Sequence, residues 1–244
     1  MAVKNKTTIS DKFGQPYWTN SHNAILYSNM STSYFKQKAI EGGLDDGRDV
    51  KAIAKYIKNA RSILEVGAGY GRALDYIIKS GFKGTLVALE REPKLSIILK
   101  RKFKQVHIIC RDIRTVTLQK KFDLIVWLWT GLWEFAAHEQ LTVLAKLVSH
   151  LNNSGFLILD LIPSTCKTIK AIRLDKNNRF IPTPYGNDYT YIPSHTEIKQ
   201  YAKQLNLQMK TLTYTTKTSK KRILYIFYIA NTHASPKERA VCRK

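Results

Sequence analysis

Ser62-Ile63-Leu64-Glu65-Val66-Gly67-Ala68-Gly69-Tyr70-Gly71-Arg72 is the stretch on which the fold turns. A short apolar run enters a segment with glycine at every second position. It leaves into a helical pattern over Arg72–Lys79, with Ala73, Tyr76 and Ile77 on one face and Gly81 where a helix C-terminus favours glycine. Glycines let the chain turn sharply and bring its backbone close to a ligand without interference from Cβ atoms. Strand, glycine-rich turn and helix in this order form a nucleotide-binding turn. The dinucleotide fingerprint G-x-G-x-x-G/A requires a third small residue at position 72, counting from Gly67. Arg72 stands there, which weighs against a nicotinamide dinucleotide.

Outward from this turn, short β-branched runs alternate with helical patterns, the signature of an α/β fold whose sheet is covered by helices on both faces. Strands are predicted at 62–66, 85–90, 106–110, 122–128 and 156–161, and a closing hairpin at 207–214 and 223–230. Pro93 opens a helix that runs to about Phe103, another spans Glu139 to His150, and Ser194 with Glu197 forms a capping box for a third. Asn152, Asn153 and Gly155 are expected to turn the chain into the fifth strand. Residues 1–60 precede the pattern as a helical extension or lid, with a helix predicted over Val50–Lys58. Residues 162–193 are too long for a simple connection and suit a substrate cap, with a hairpin of 167–174 against 179–185. The domain proper covers 61–232 and a basic tail 233–244.

Glu65 followed by Gly67, Gly69 and Gly71 resembles motif I, E/D-x-G-x-G-x-G, of the class I (Rossmann-like) S-adenosylmethionine-dependent methyltransferases. Three further signals follow in the family's order: Glu90 at the end of the second strand, Arg111-Asp112-Ile113 after the third, and Phe122–Val126 as the fourth. The resemblance implies a doubly wound, seven-stranded mixed sheet that uses S-adenosylmethionine and releases S-adenosylhomocysteine. It implies a cofactor site of Glu65, Gly67, Ala68, Gly69, Tyr70, Gly71, Glu90, Arg91, Asp112, Ile113, Trp127, Leu128 and Trp129. Glu90 would accept from both ribose hydroxyls, and Asp112 and Ile113 would meet the adenine.

On the acceptor side, methyl transfer is an in-line displacement that gains most from alignment and exclusion of water, with or without a general base. Glu134 and His138, four apart, are the catalytic candidates if they share a helix face; a surface pair is the alternative. Tyr17, Trp18, Tyr27, Trp133, Arg179, Tyr185, Tyr189 and Tyr191 are the substrate-binding candidates. Trp127 and Trp129 share a face if the strand continues through them, so at least one is expected in the core.

Composition narrows the rest. The chain has 244 residues, 44% of them apolar, which is enough for one folded core. Its three cysteines, Cys110, Cys166 and Cys242, fit neither a disulfide framework nor a metal pair, so no metal is expected. No apolar run reaches the roughly 20 residues of a membrane span, and the N-terminus lacks a secretory pattern, so a cytoplasmic location is expected. The net charge of +22 suits an RNA acceptor, or a non-catalytic nucleic-acid-binding role for the fold. It also suits plain solubility, since 28 of the 40 basic residues are lysines spread along the chain. The stretch Trp127-Leu128-Trp129-Thr130 lacks the N/D-P-P-Y/F signature of base-amine methyltransferases, and the cap suits an enclosed small molecule, which is the favoured acceptor. The pattern fixes neither the acceptor atom nor the oligomeric state.

Overall fold

A computed structural model describes residues 20–166, 171–174 and 176–229. Tyr17, Trp18 and the basic tail lie outside the described residues. The described residues open with four helices: α1 (Asn20–Asn29), α2 (Thr32–Gly42), α3 (Arg48–Ala52) and α4 (Ala54–Asn59). The alternating core follows as β1 (Ser62–Val66), α5 (Arg72–Lys79), β2 (Thr85–Glu90), α6 (Pro93–Lys102), β3 (His107–Cys110), β4 (Phe122–Trp127), α7 (Ala137–Ser149) and β5 (Leu151–Leu161). The insertion contributes β6 (Ile172–Arg173), β7 (Asn178–Thr183) and β8 (Gly186–Tyr191), and the described residues close with α8 (His195–Gln204), β9 (Leu207–Thr215) and β10 (Lys221–Ile229). Among the described residues, no helix is long and apolar enough to cross a membrane.

The main sheet is seven-stranded and mixed, in the order β3-β2-β1-β4-β5-β10-β9. The first five strands run parallel, and β10 pairs antiparallel with both β5 and β9. Period-two alternation splits the apolar residues between the faces. Leu64, Leu89, Ile125 and Leu159 pack under α7 and α8, while Ile63, Ala88, Leu124 and Ile158 pack under α3 to α6. The strand order reverses beside β1, so the carboxyl ends of β1 and β4 border the crevice where open α/β sheets bind ligands.

Two local expectations need correction. Asn152–Gly155 do not precede the fifth strand but lie inside it: Phe122 pairs with Leu151 and Leu124 with Phe156, so these residues form a bulge. Asn152 is fixed there by donating to Asp123 Oδ1 at 2.6 Å, and Asp123 Oδ2 accepts from the Arg61 and Ser62 backbone at 2.9 and 3.1 Å. Asp123 therefore ties strand starts together and is not at the crevice. The insertion folds as a three-stranded sheet, β6-β7-β8, in which the main partner of β7 is β8. Pro184-Tyr185 makes the turn that the sequence pattern had as the end of a strand. The helix expected over 50–58 is broken at Ile53 into α3 and α4.

Candidate active site

Gly67, Gly69 and Gly71 adopt φ of +64°, +57° and +84°, left-handed values that cost little only for glycine. At Gly71 space is refused as well: a Cβ would lie 2.3 Å from the Phe103 ring and 2.8 Å from Leu99. Gly71→Ala should therefore destabilise the fold by about 2–4 kcal/mol, combining the left-handed penalty with overpacking. Denaturant melts that moved by less than about 1 kcal/mol would contradict this geometry. At Gly69 the position is open, with only Gly67 O at 4.0 Å, so the backbone there faces the cavity.

Glu90 clasps this turn from the end of β2. One carboxylate oxygen accepts from the Gly69 N–H at 2.7 Å and the other from the Glu92 N–H at 2.8 Å. Burial pushes its carboxyl above the ordinary range despite these bonds. Glu65, at the end of β1, is 4% exposed, and its Oε2 has no hydrogen-bond partner. Burial, only partly offset by Arg72, pushes its pKa up to about 8. A buried carboxylate oxygen without a partner is costly unless a ligand completes it.

Arg72 is not a misfit at the helix entrance but an anchor. Its guanidinium grips Asp49 of α3 at 2.8 and 2.5 Å, donates to Leu44 O at 3.0 Å, and lies 5.8 Å from the Trp129 ring. It thereby ties the N-terminal helices to the glycine turn.

These groups line one cavity of about 560 Å³, within the range of small-molecule sites. Asp112, Ile113, Trp127, Leu128 and Trp129 line it too, and α1, α2 and the inserted sheet complete its wall with Tyr27, Tyr34, Phe35, Ile181 and Asp188. Asp112 is held by Arg114 at 3.0 Å; burial pushes its carboxyl up, but the Arg114 side chain and N–H outweigh burial and leave it below the ordinary range. In the outer half, Arg91 pairs with Glu134 at 2.8 Å, and the Tyr27 hydroxyl donates to both Asp188 oxygens at 3.4 Å. Burial first, then the charge of Glu134, pushes Asp188 up to about 8; burial likewise raises Glu134.

Residues 63–155 match the family model described as a methyltransferase domain. Residues 63–155 therefore form a methyltransferase domain. A malonyl-[acyl-carrier protein] O-methyltransferase from Priestia megaterium is 28% identical to this chain over 99 residues, 40% of this chain and 35% of that protein. The chain thus matches only about a third of that relative's length. An S-adenosylmethionine-dependent methyltransferase from Clostridium acetobutylicum superposes with a TM-score of 0.61 at 16% identity, covering 81% of this chain and 99% of the other. The 1,6-didemethyltoxoflavin-N1-methyltransferase of Burkholderia thailandensis, solved with its substrate and S-adenosylhomocysteine, gives 0.62 at 15% identity, covering 85% and 88%.

Within the methyltransferase domain the sequence candidates separate cleanly. Glu65, Gly67, Ala68, Gly69, Tyr70, Glu90, Arg91, Asp112, Ile113, Trp127, Leu128, Trp129, Trp133, Glu134 and Tyr27 line the cavity. Gly71 does not; it lies against Phe103 and Leu99. His138 is exposed in α7, whereas Glu134 lies in a 3₁₀ turn, so the two share no helix face and His138 is off the site. Nor do Trp127 and Trp129 continue one strand. β4 stops at Trp127, and Trp129 and Thr130 take left-handed φ of 55° and 60°. Trp127 packs edge-on against Phe135, and Trp129 faces Arg72.

Four of the insertion's candidates also need correction. Arg179 donates to Ser164 O and Cys166 O at 2.5 and 2.8 Å, holding the start of the insertion. Tyr191 donates to Glu197, Tyr189 pairs with Phe180, and Tyr185 braces α2 through Ser31 and Tyr34. Along β8, Tyr189 and Tyr191 fall on one face and Asp188 on the other, with cross-strand partner Ile181. In the sequence Asp188 stands only as a carboxylate among tyrosines, and the pairing of β8 with β7 is what sets its face.

Proposed function

We infer that the chain binds S-adenosylmethionine along the glycine turn, transfers its methyl group to a small-molecule acceptor in the outer half of the cavity, and releases S-adenosylhomocysteine. The observation that carries this reading is the unpartnered Glu65 Oε2 beside three left-handed glycines, a buried carboxyl that the amino group of the cofactor would complete. When bound, the cofactor supplies an electrophilic methyl on sulfonium. The chain's own residues do the rest. Glu90 accepts from the ribose hydroxyls with lone pairs not used by Gly69 and Glu92. Asp112 takes the adenine amine and Ile113 packs on the ring. The Trp129 and Trp133 rings exclude water from the reacting centre. A cavity of about 560 Å³ walled by aromatic rings supports a small acceptor.

Two measurements test this. S-adenosylhomocysteine should raise the melting temperature while NAD leaves it unchanged, since only a ligand of the native state stabilises it. Binding should also release a proton. Glu65, with a pKa of about 8, is mostly protonated at neutral pH, and a ligand ammonium drives it to the carboxylate. The affinity should therefore rise with pH up to about 8, where the carboxyl has already ionised. Calorimetry in buffers of different ionisation enthalpy should detect this proton in the native protein and lose it in Glu65→Gln. An equal proton count in both would show that Glu65 does not meet the amino group.

A further inference from the structure

The outer half of the cavity holds two carboxylates, Glu134 from the turn after β4 and Asp188 from β8. Arg91 pairs with Glu134 at 2.8 Å, and Asp188, 7% exposed, has the Tyr27 hydroxyl at 3.4 Å. The charges of both acids act on the Tyr27 hydroxyl. The Trp133 ring also lines this part of the cavity, a face that attracts a cation, while the Tyr27 and Trp129 rings already have the Arg91 and Arg72 guanidinium groups at 5.5 and 5.8 Å. An anionic acceptor would lie against two carboxyl groups, whereas an ammonium draws Asp188, pushed up to about 8 by burial, into its ionised form, as the cofactor's ammonium does Glu65. A cation satisfies both the acids and the ring.

Resting on the methyl-transfer reading above, we propose that the acceptor is an amine, docked as its ammonium between Asp188 and Glu134 beside the Trp133 ring, and that Asp188 is the base that frees its lone pair. Asp188 carboxylate takes one proton from the ammonium, leaving R–NH₂ and the neutral acid. The nitrogen lone pair then forms the N–C bond as the C–S bond breaks, its electron pair passing to sulfur. The positive charge moves from sulfur to nitrogen, the product leaves as the methylated ammonium, and Asp188 returns its proton to water. Glu134, fixed by Arg91, holds the cation in register. The burial that pushes Asp188 to about 8 brings it within reach of an alkyl ammonium, which titrates near 10, as lysine does. An aliphatic hydroxyl is far too weak an acid for the same carboxylate.

Benzylamine and benzyl alcohol, matched in shape and differing in charge, are the probes. Each is titrated into the full chain saturated with S-adenosylhomocysteine, with binding read by saturation-transfer NMR and tryptophan fluorescence. Benzylamine should bind at least tenfold more tightly than benzyl alcohol. Asp188→Asn should remove that preference while leaving S-adenosylhomocysteine affinity and the melting temperature near native values; Glu134→Gln, a second neutral isostere, should reduce it. Equal binding of the two probes, no benzylamine binding, or an Asp188→Asn protein that keeps the preference would each overturn the proposal. A native protein that fails to bind S-adenosylhomocysteine overturns the methyl-transfer reading instead, so the two failures are distinct.

Discussion

Glu90→Ala should weaken S-adenosylhomocysteine binding by at least about a hundredfold while leaving the protein folded. Each hydrogen bond to a charged group contributes about 1.5–3 kcal/mol, and the ribose offers two, so losing both costs about 3 kcal/mol or more, or two factors of ten. The Gly69 and Glu92 N–H groups lose their acceptor as well, which loosens the turn on which the cofactor lies. Stability should change less, because the substitution also removes a buried carboxylate that desolvation disfavours. Glu90→Gln is the sharper control. It keeps the shape but presents an NH₂ to either Gly69 or Glu92, so a donor faces a donor, and affinity should fall nearly as far. Isothermal titration on both variants, with circular dichroism to verify folding, checks the result; native affinity in Glu90→Ala would remove Glu90 from the ribose site.

The main sheet was legible because parallel strands announce themselves: buried on both faces, they read as apolar runs whose order follows the alternation with helices. The glycine turn was legible for the same local reason, since each left-handed residue there is a glycine. What sequence could not supply were contacts between segments far apart in the chain. Arg72 looked like a break in a fingerprint until Asp49, from α3, appeared opposite it. Asp188 shows only as a carboxylate among tyrosines until β7 fixes which face of β8 turns inward. The strand ending at Trp127 is likewise invisible locally: nothing in Trp129 or Thr130 favours a positive φ, and what imposes it lies on β5 and β10.

That imposition can be tested at Asp160. Fully buried on β5, it receives Arg222 of β10 through three hydrogen bonds of 2.9, 3.1 and 2.9 Å. Its Oδ2 accepts the Trp129 N–H at 3.0 Å, and its backbone oxygen accepts the Thr130 N–H at 2.9 Å. Two consecutive non-glycine residues in left-handed backbone cost about 1–3 kcal/mol each and persist only where surrounding bonds hold them. Asp160→Ala removes the side-chain part of that hold, the acceptor of the Trp129 N–H, and leaves the Arg222 guanidinium, 6% exposed, as an uncompensated buried charge. Breaking a buried pair in this way costs about 3–5 kcal/mol, a large part of the stability of a single domain. Urea melts should show this loss, and crystals of the variant should show Trp129 leaving its left-handed conformation and the cavity wall opening. The double variant Asp160→Leu with Arg222→Met separates the two effects. With both charges replaced by apolar groups, most of the stability should return. Trp129 still lacks its acceptor, so cofactor affinity stays low. A double variant that recovered cofactor binding along with stability would mean that Asp160 serves only the core, and that the kink at Trp129 needs no carboxylate to hold it.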